Sequence, residues 1–157
     1  MLSGWRIADP WYASTPEQMM SGEGAFLFGG RWNSKGTRVV YLGTSLAQAA
    51  MELLVHLGRP DILKTYHKME VSFSPDLVQH IHIDDLPDDW ASPSMAPAVQ
   101  ATGDAWVKAK TSVLLQVPSA AIPGEYNYLF NPGHPDAKSV SYSPITPFGF
   151  DPRLLKS

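Results

Sequence analysis

Arg31, Tyr41 and Glu52 place a fixed cation, an aromatic ring and a carboxylate on three successive pieces of chain. Arg31 follows Gly29-Gly30, where the backbone can pass close to a ligand. Its planar guanidinium suits a pyrophosphate or a ribose oxygen. Tyr41 falls in the β-branched run TRVVYL, where a ring can stack on a flat heterocycle. Glu52 lies between AAM and LLVH, and a carboxylate in apolar surroundings must be hydrogen-bonded or chemically employed. Beside an anomeric carbon it could stabilise an oxocarbenium-like transition state or orient a water. The trio suits holding a dinucleotide and cutting its glycosidic bond. Each member also has a plainer reading: Arg31 as a surface residue beside a hairpin turn, Tyr41 as core, Glu52 as a helix-surface carboxylate.

Other chemistries lack their motifs. GGRWNSKG contains neither G-x-G-x-x-G nor a Walker A loop. Ser119 has no G-x-S-x-G around it, which favours a binding or structural hydroxyl over a nucleophile. Cysteine is absent, excluding thiolate catalysis and disulfides. His56 follows Glu52 by four positions, and His80 and His82 share a strand face, but no H-E-x-x-H and no third local ligand accompany them. No metal is expected, and His56 reads as a helix-end residue. Asn127 and Asn131 could fix a ribose or an amide, although Asn131-Pro132-Gly133 is foremost a turn signal. Lys35 could help hold phosphate. Otherwise Lys35, Arg38 and Lys68 read as surface charges.

These side chains need a scaffold. The 157 residues, 44% hydrophobic, suffice for one domain, read as 1–157 with 144–157 a C-terminal tail. The 14 prolines and 12 glycines predict short elements and many loops. A net charge of −3 argues against a large nucleic-acid face. No apolar stretch reaches the roughly 18 residues of a membrane span. MLSGWRIADP lacks a basic-then-apolar leader, so a cytoplasmic location is expected. Strands are predicted near 4–8, 37–42, 62–73, 77–83, 112–117 and 139–143. Residues 45–57 read as a helix, capped by Thr44 or Ser45 and ended by Gly58; 98–111 read as another. Residues 86–97 and the turn-rich EYNYLFNPGHPDAKSV read as loops, and 142–157 as a weakly structured tail.

The blocks GEGAFLFGGRWNSKG, VVYLGTSLAQAAMELLVHL and GDAWVKAKTSVLLQVPSAAIPGEYNYLFNPGHPD, in that order, resemble the RES domain, the toxin half of a bacterial toxin–antitoxin pair. The likeness runs from Arg6 to about Val140. It places the arginine, glutamate and serine of the family's name at Arg31, Glu52 and Ser119, and its site tyrosine at Tyr41. It implies an α+β fold like that of ADP-ribosyltransferases, with a split, mixed but mostly antiparallel sheet and flanking helices around an NAD cleft. It implies catalysis by Arg31, Tyr41 and Glu52. With the residues singled out above, the expected NAD-binding set is Arg6, Gly30, Arg31, Lys35, Tyr41, Ser119 and Asn131. NAD would be the substrate, with no resident cofactor and with inorganic phosphate as a possible co-substrate. NAD loss would arrest growth. The resemblance further implies an Xre-type helix-turn-helix antitoxin, a toxin dimer within a larger complex, DNA contact only through the antitoxin, and no membrane partner. Ala50-Met51-Glu52 lacks the second acidic or amide residue of protein-modifying transferases, which favours water or phosphate as acceptor. The rival readings are a transferase acting on a protein, a non-enzymatic partner-binding module and, more remotely, a metal-dependent hydrolase.

Overall fold

In a computed structural model, which describes residues 1–156, eight strands form one sheet flanked by four α-helices. The strands are β1 (Leu2–Ala8), β2 (Val40–Gly43), β3 (Thr65–Phe73), β4 (Val78–His80), β5 (Leu114–Pro118), β6 (Tyr126–Phe130), β7 (Ser141–Tyr142) and β8 (Thr146–Gly149). The helices are α1 (Pro16–Met19), α2 (Glu23–Phe28), α3 (Leu46–Leu54) and α4 (Pro97–Ala109). The sheet order is β4-β5-β6-β2-β1-β3-β7, with β8 also pairing β3. Only β4–β5 is parallel. Its halves meet through a single register pair, Trp5 with Gly43, whereas β1 and β3 stay paired from Leu2 to Ala8. The sheet is therefore split between β1 and β2, in the α+β, mostly antiparallel arrangement expected.

Strand alternation sends side chains to two faces. One face buries Val40, Leu42, Met69, Val71, Phe73, Leu114, Tyr128 and Phe130 in the main core, closed by Met19 and Met20. The other face carries two smaller cores. Trp32, Val39, Val99, Trp106, Leu115, Val117 and Leu129 pack beneath α4. Ile7, Ala49 and Tyr66 pack with Trp5, Leu46 and Leu53 beneath α3. The candidates Tyr41 and Glu52 lie on this second face, whereas Arg6 projects from the other.

Two glycines bring the helices down onto it. A Cβ on Gly43 would stand 2.4 Å from the Ala49 backbone nitrogen, so glycine lets α3 lie directly on β2. A Cβ on Gly103 would stand 1.6 Å from the Trp32 carbonyl oxygen, so α4 meets the Arg31 loop backbone to backbone.

Three expectations are corrected. EYNYLF is not loop: it supplies β6, which is central to the sheet and pairs with both β2 and β5. The expected weakly structured tail holds β8, paired with β3 from Thr65 to Lys68. Phe148 and Phe150 stack edge-on at 5.1 Å, and Phe150 meets Tyr66 at 6.3 Å, so the segment closes the core beneath α3. The segment before Gly29, where no element beyond the strand near 4–8 is expected, contains two short helices, the first held by a Thr15–Gln18 capping box.

Candidate active site

Glu52 sits in the last turn of α3, on the side facing β6. Ser45 caps this helix by accepting from the Gln48 backbone N–H at 3.0 Å. One turn later, Glu52 Oε1 accepts from Ser119 Oγ at 2.7 Å and from Gln48 Nε2 at 3.3 Å. Gln48 Nε2 also donates to Asn127 Oδ1 at 3.1 Å. Ser119 directly follows β5, and Asn127 lies on β6 opposite Gly43. The Ser119 oxygen accepts the Ile122 backbone N–H at 3.1 Å, which leaves its proton for Glu52. Two of the sequence-predicted residues, Glu52 and Ser119, are thus in direct contact although 67 positions apart.

Tyr41 stands two residues before Gly43 on the same face of β2. Its hydroxyl donates to Asn33 Oδ1 at 2.6 Å and accepts the Trp32 N–H at 3.0 Å. Burial pushes its phenol well above the ordinary tyrosine range; the Trp32 N–H opposes this, the Asp104 charge adds to it and the Arg31 charge also opposes it. Tyr41 is therefore a neutral phenol that fastens the Arg31 loop and lies within reach of the Arg31 charge. Gly30 is required beside it, because a Cβ there would stand 2.6 Å from the Tyr41 oxygen.

Arg31 donates through one nitrogen, Nη1, to the carbonyls of Trp90 at 2.8 Å and Ser92 at 2.9 Å. The loop between β4 and α4 thereby acquires a task the sequence did not suggest. None of the ion pairs among the described residues includes Arg31. The loop it rides on is fixed from several sides. Asn33 is fully buried and donates to the carbonyls of Ala25, Ser34 and Thr37. Gln100 of α4 donates to the carbonyls of Gly30 and Asn33. Asp104 accepts from both the backbone N–H and the hydroxyl of Ser34.

Three predicted binding residues stand apart from this arrangement. Arg6 projects from the opposite side of β1 to Trp5 and Ile7, and donates to the carbonyls of Met19 at 3.2 Å and Ile7 at 3.1 Å. Burial lowers its pKa from the ordinary arginine value. Asn131 lies beyond the far end of β6 from Asn127. It is 1% exposed, donates to the Val107 carbonyl and accepts the Gly133 N–H, and so builds the turn its Asn-Pro-Gly sequence announces. Lys35 is exposed, with its side chain beside Gly29. Sequence reasoning missed Gln48, Asn33 and Asp104. Only Gln48 carried a signal, its four-residue spacing from Glu52 on one helix face. Among the described residues no group of three or more His, Asp or Glu side chains is placed to hold a metal.

A groove of about 170 Å³ runs along Ser45, Gln48 and Met51 against Ile122 and Glu125. A larger one, about 560 Å³, lies over the main core between Met20, Phe130 and Tyr142 and contains none of the candidate side chains. Size alone does not locate chemistry, and the convergence of polar groups around Glu52 is the better guide.

The split, mostly antiparallel sheet, with α3 and α4 packed on a shared face, defines an α+β protein. The fold superposes on the M. tuberculosis MbcT-MbcA toxin-antitoxin complex with a TM-score of 0.71, covering 98% of this chain and 86% of that chain at 18% identity. The RES domain model matches residues 3–151. Toxin Res of Photorhabdus laumondii is 35% identical over 142 residues, 90% of this chain and 91% of the relative. Toxin Res of Pseudomonas putida is 36% identical over 153 residues, 96% and 98% of the two chains. The Prs ADP-ribosylating toxin of a Sphingobium species is 33% identical over 158 residues, 98% and 97%. The chain belongs to the RES domain family of toxins.

Proposed function

We propose that this protein is the toxin of a toxin–antitoxin pair and that it depletes NAD by cleaving the bond between nicotinamide and ribose. The observation that carries the reading is Glu52, whose Oε1 is tied by Ser119 and Gln48 while Oε2 has no protein donor among the described residues. The Arg31 charge, unpaired by any carboxylate among those residues, would bind the pyrophosphate or a ribose oxygen. The Tyr41 ring would flank the nicotinamide. As the bond breaks, its electron pair leaves with nicotinamide, neutralising that cationic ring, and positive charge develops on the ribose. The free Glu52 oxygen would stabilise this charge directly or through a ribose hydroxyl. Water then attacks the anomeric carbon and releases a proton, giving ADP-ribose, or phosphate attacks and gives its phosphorylated counterpart. Because the leaving group is already cationic in NAD, no strong general acid is needed.

Replacing Glu52 by Gln keeps the shape and removes the charge. Turnover of NAD should fall by a few hundredfold, equivalent to ~3–4 kcal/mol of transition-state stabilisation. Unchanged turnover in a folded Glu52→Gln protein would overturn the reading. A second reading, transfer of ADP-ribose to a protein, is favoured by the name of the Sphingobium relative. Radiolabel from the adenylate half of NAD would then appear on a macromolecule rather than only in small products. We further propose an Xre-type helix-turn-helix antitoxin as partner, a dimeric toxin in the complex, and contact with DNA only through the antitoxin.

A further inference from the structure

We infer that Gln48 is a positioning residue that, with Ser119, fixes the orientation of the Glu52 carboxylate so that one oxygen is held and the other faces the substrate. The inference rests on the NAD-cleaving reading and assigns a function to the Gln48 contact that the reading takes as given. An ionised carboxylate only accepts hydrogen bonds, so Glu52 forces Gln48 to present its NH₂ group. With both amide protons engaged, Gln48 in turn requires the Asn127 oxygen as its second acceptor, at 3.1 Å. Ser119 completes the set, its lone pair occupied by the Ile122 N–H and its proton directed to the same Glu52 oxygen. Both donors converge on Oε1, so the carboxylate has one arrangement in which both are satisfied, and that arrangement leaves Oε2 free. Gln48 is itself immobile: it is 4% exposed, its backbone N–H is held by the Ser45 cap, and α3 is seated on Gly43. Burying a long amide costs desolvation that its two hydrogen bonds offset, which accounts for glutamine at a position where apolar packing would otherwise be simpler. Gln48 acts through Glu52 and not on the substrate.

The test uses Gln48→Met, close in volume and without the donor, and Gln48→Glu, isosteric with the donor turned into an acceptor. Both are assayed for NAD turnover beside wild type, Glu52→Gln and the Gln48→Met/Glu52→Gln double variant, with thermal unfolding to confirm folding. In Gln48→Met, kcat should fall by about tenfold to a hundredfold while KM changes less than about twofold. Gln48→Glu should show the same split, and it decides the matter if the Met variant does not fold. In the double variant Gln48→Met should add no further loss, because the carboxylate it positions is gone. Wild-type kcat in both variants, a rise in KM with kcat unchanged, or independent losses in the double variant would each overturn the inference while leaving NAD cleavage standing. Wild-type protein that leaves NAD intact would instead overturn the functional reading, and the role of Gln48 with it.

Discussion

At the residue scale the account turns on how few polar groups are left over. Tyr41 and Ser119 have their hydroxyls engaged as both donor and acceptor, Asn33 and Gln48 have their amide groups held, and Glu52 has one oxygen tied. Tyr41→Phe removes the partner of two groups, Asn33 Oδ1 and the Trp32 N–H. It should destabilise the protein by about 1–3 kcal/mol, read from the midpoint of urea unfolding. Because it also loosens the Arg31 loop, it should raise KM for NAD; a variant with unchanged stability would show that the loop does not depend on this hydroxyl. Arg31→Ala should weaken binding of a non-hydrolysable NAD analogue by calorimetry, and equal affinity would remove Arg31 from the phosphate role. The chemical types at Arg31, Tyr41 and Glu52 were legible because each is unusual where it stands: a cation after two glycines, a ring in a β-branched run, an acid among leucines. Asn33 and Asp104 were not legible, since their partners are backbone atoms and a serine that only the folded loop brings near.

At the element scale, position is set by close approach. Helix α4 grips the Arg31 loop through Gln100, Gly103 and Asp104, three neighbours on one helical face. Gly103→Ala would drive a methyl group into the Trp32 carbonyl and push α4 away. A loss of at least about 1–3 kcal/mol is expected in thermal unfolding, with NAD turnover falling as the loop moves. A neutral result would mean that the helix and loop are not held together as described. Helix α3 was readable from its periodicity and its Ser45 cap, and α4 was expected over 98–111 without a capping signal. Strand β6 was not: YNYLF has no β-branched residue and lies between Pro-Gly and Asn-Pro-Gly, so turn chemistry masked a central strand. Sheet order lay beyond local pattern altogether, because β1 joins partners that lie far along the chain.

At the scale of the whole molecule, one face of the sheet gathers the site from several supports. Glu52 and Ser119 belong to α3 and the end of β5, and Arg31 and Tyr41 to the α4-bound loop and β2. Gly43 links them, being paired with Trp5, opposite Asn127 and beneath Ala49. The half formed by β1 and β3 relies on the C-terminal segment for closure. Deleting residues 144–157 removes β8, Phe148 and Phe150 from against Tyr66, and should lower the melting temperature or abolish folding. A truncated protein with native stability would restore the reading of that segment as a loose tail. The resemblance of three ordered blocks conveyed the architecture where single residues could not; Arg6 and Asn131, expected to bind NAD, are engaged with backbone groups. The most direct measurement is mass analysis of the products after purified, antitoxin-free protein meets NAD with and without inorganic phosphate. The account predicts free nicotinamide and ADP-ribose in both reactions where water is the acceptor, or free nicotinamide and phosphorylated ADP-ribose only in the reaction with phosphate where phosphate is the acceptor. Intact NAD in both reactions would contradict it.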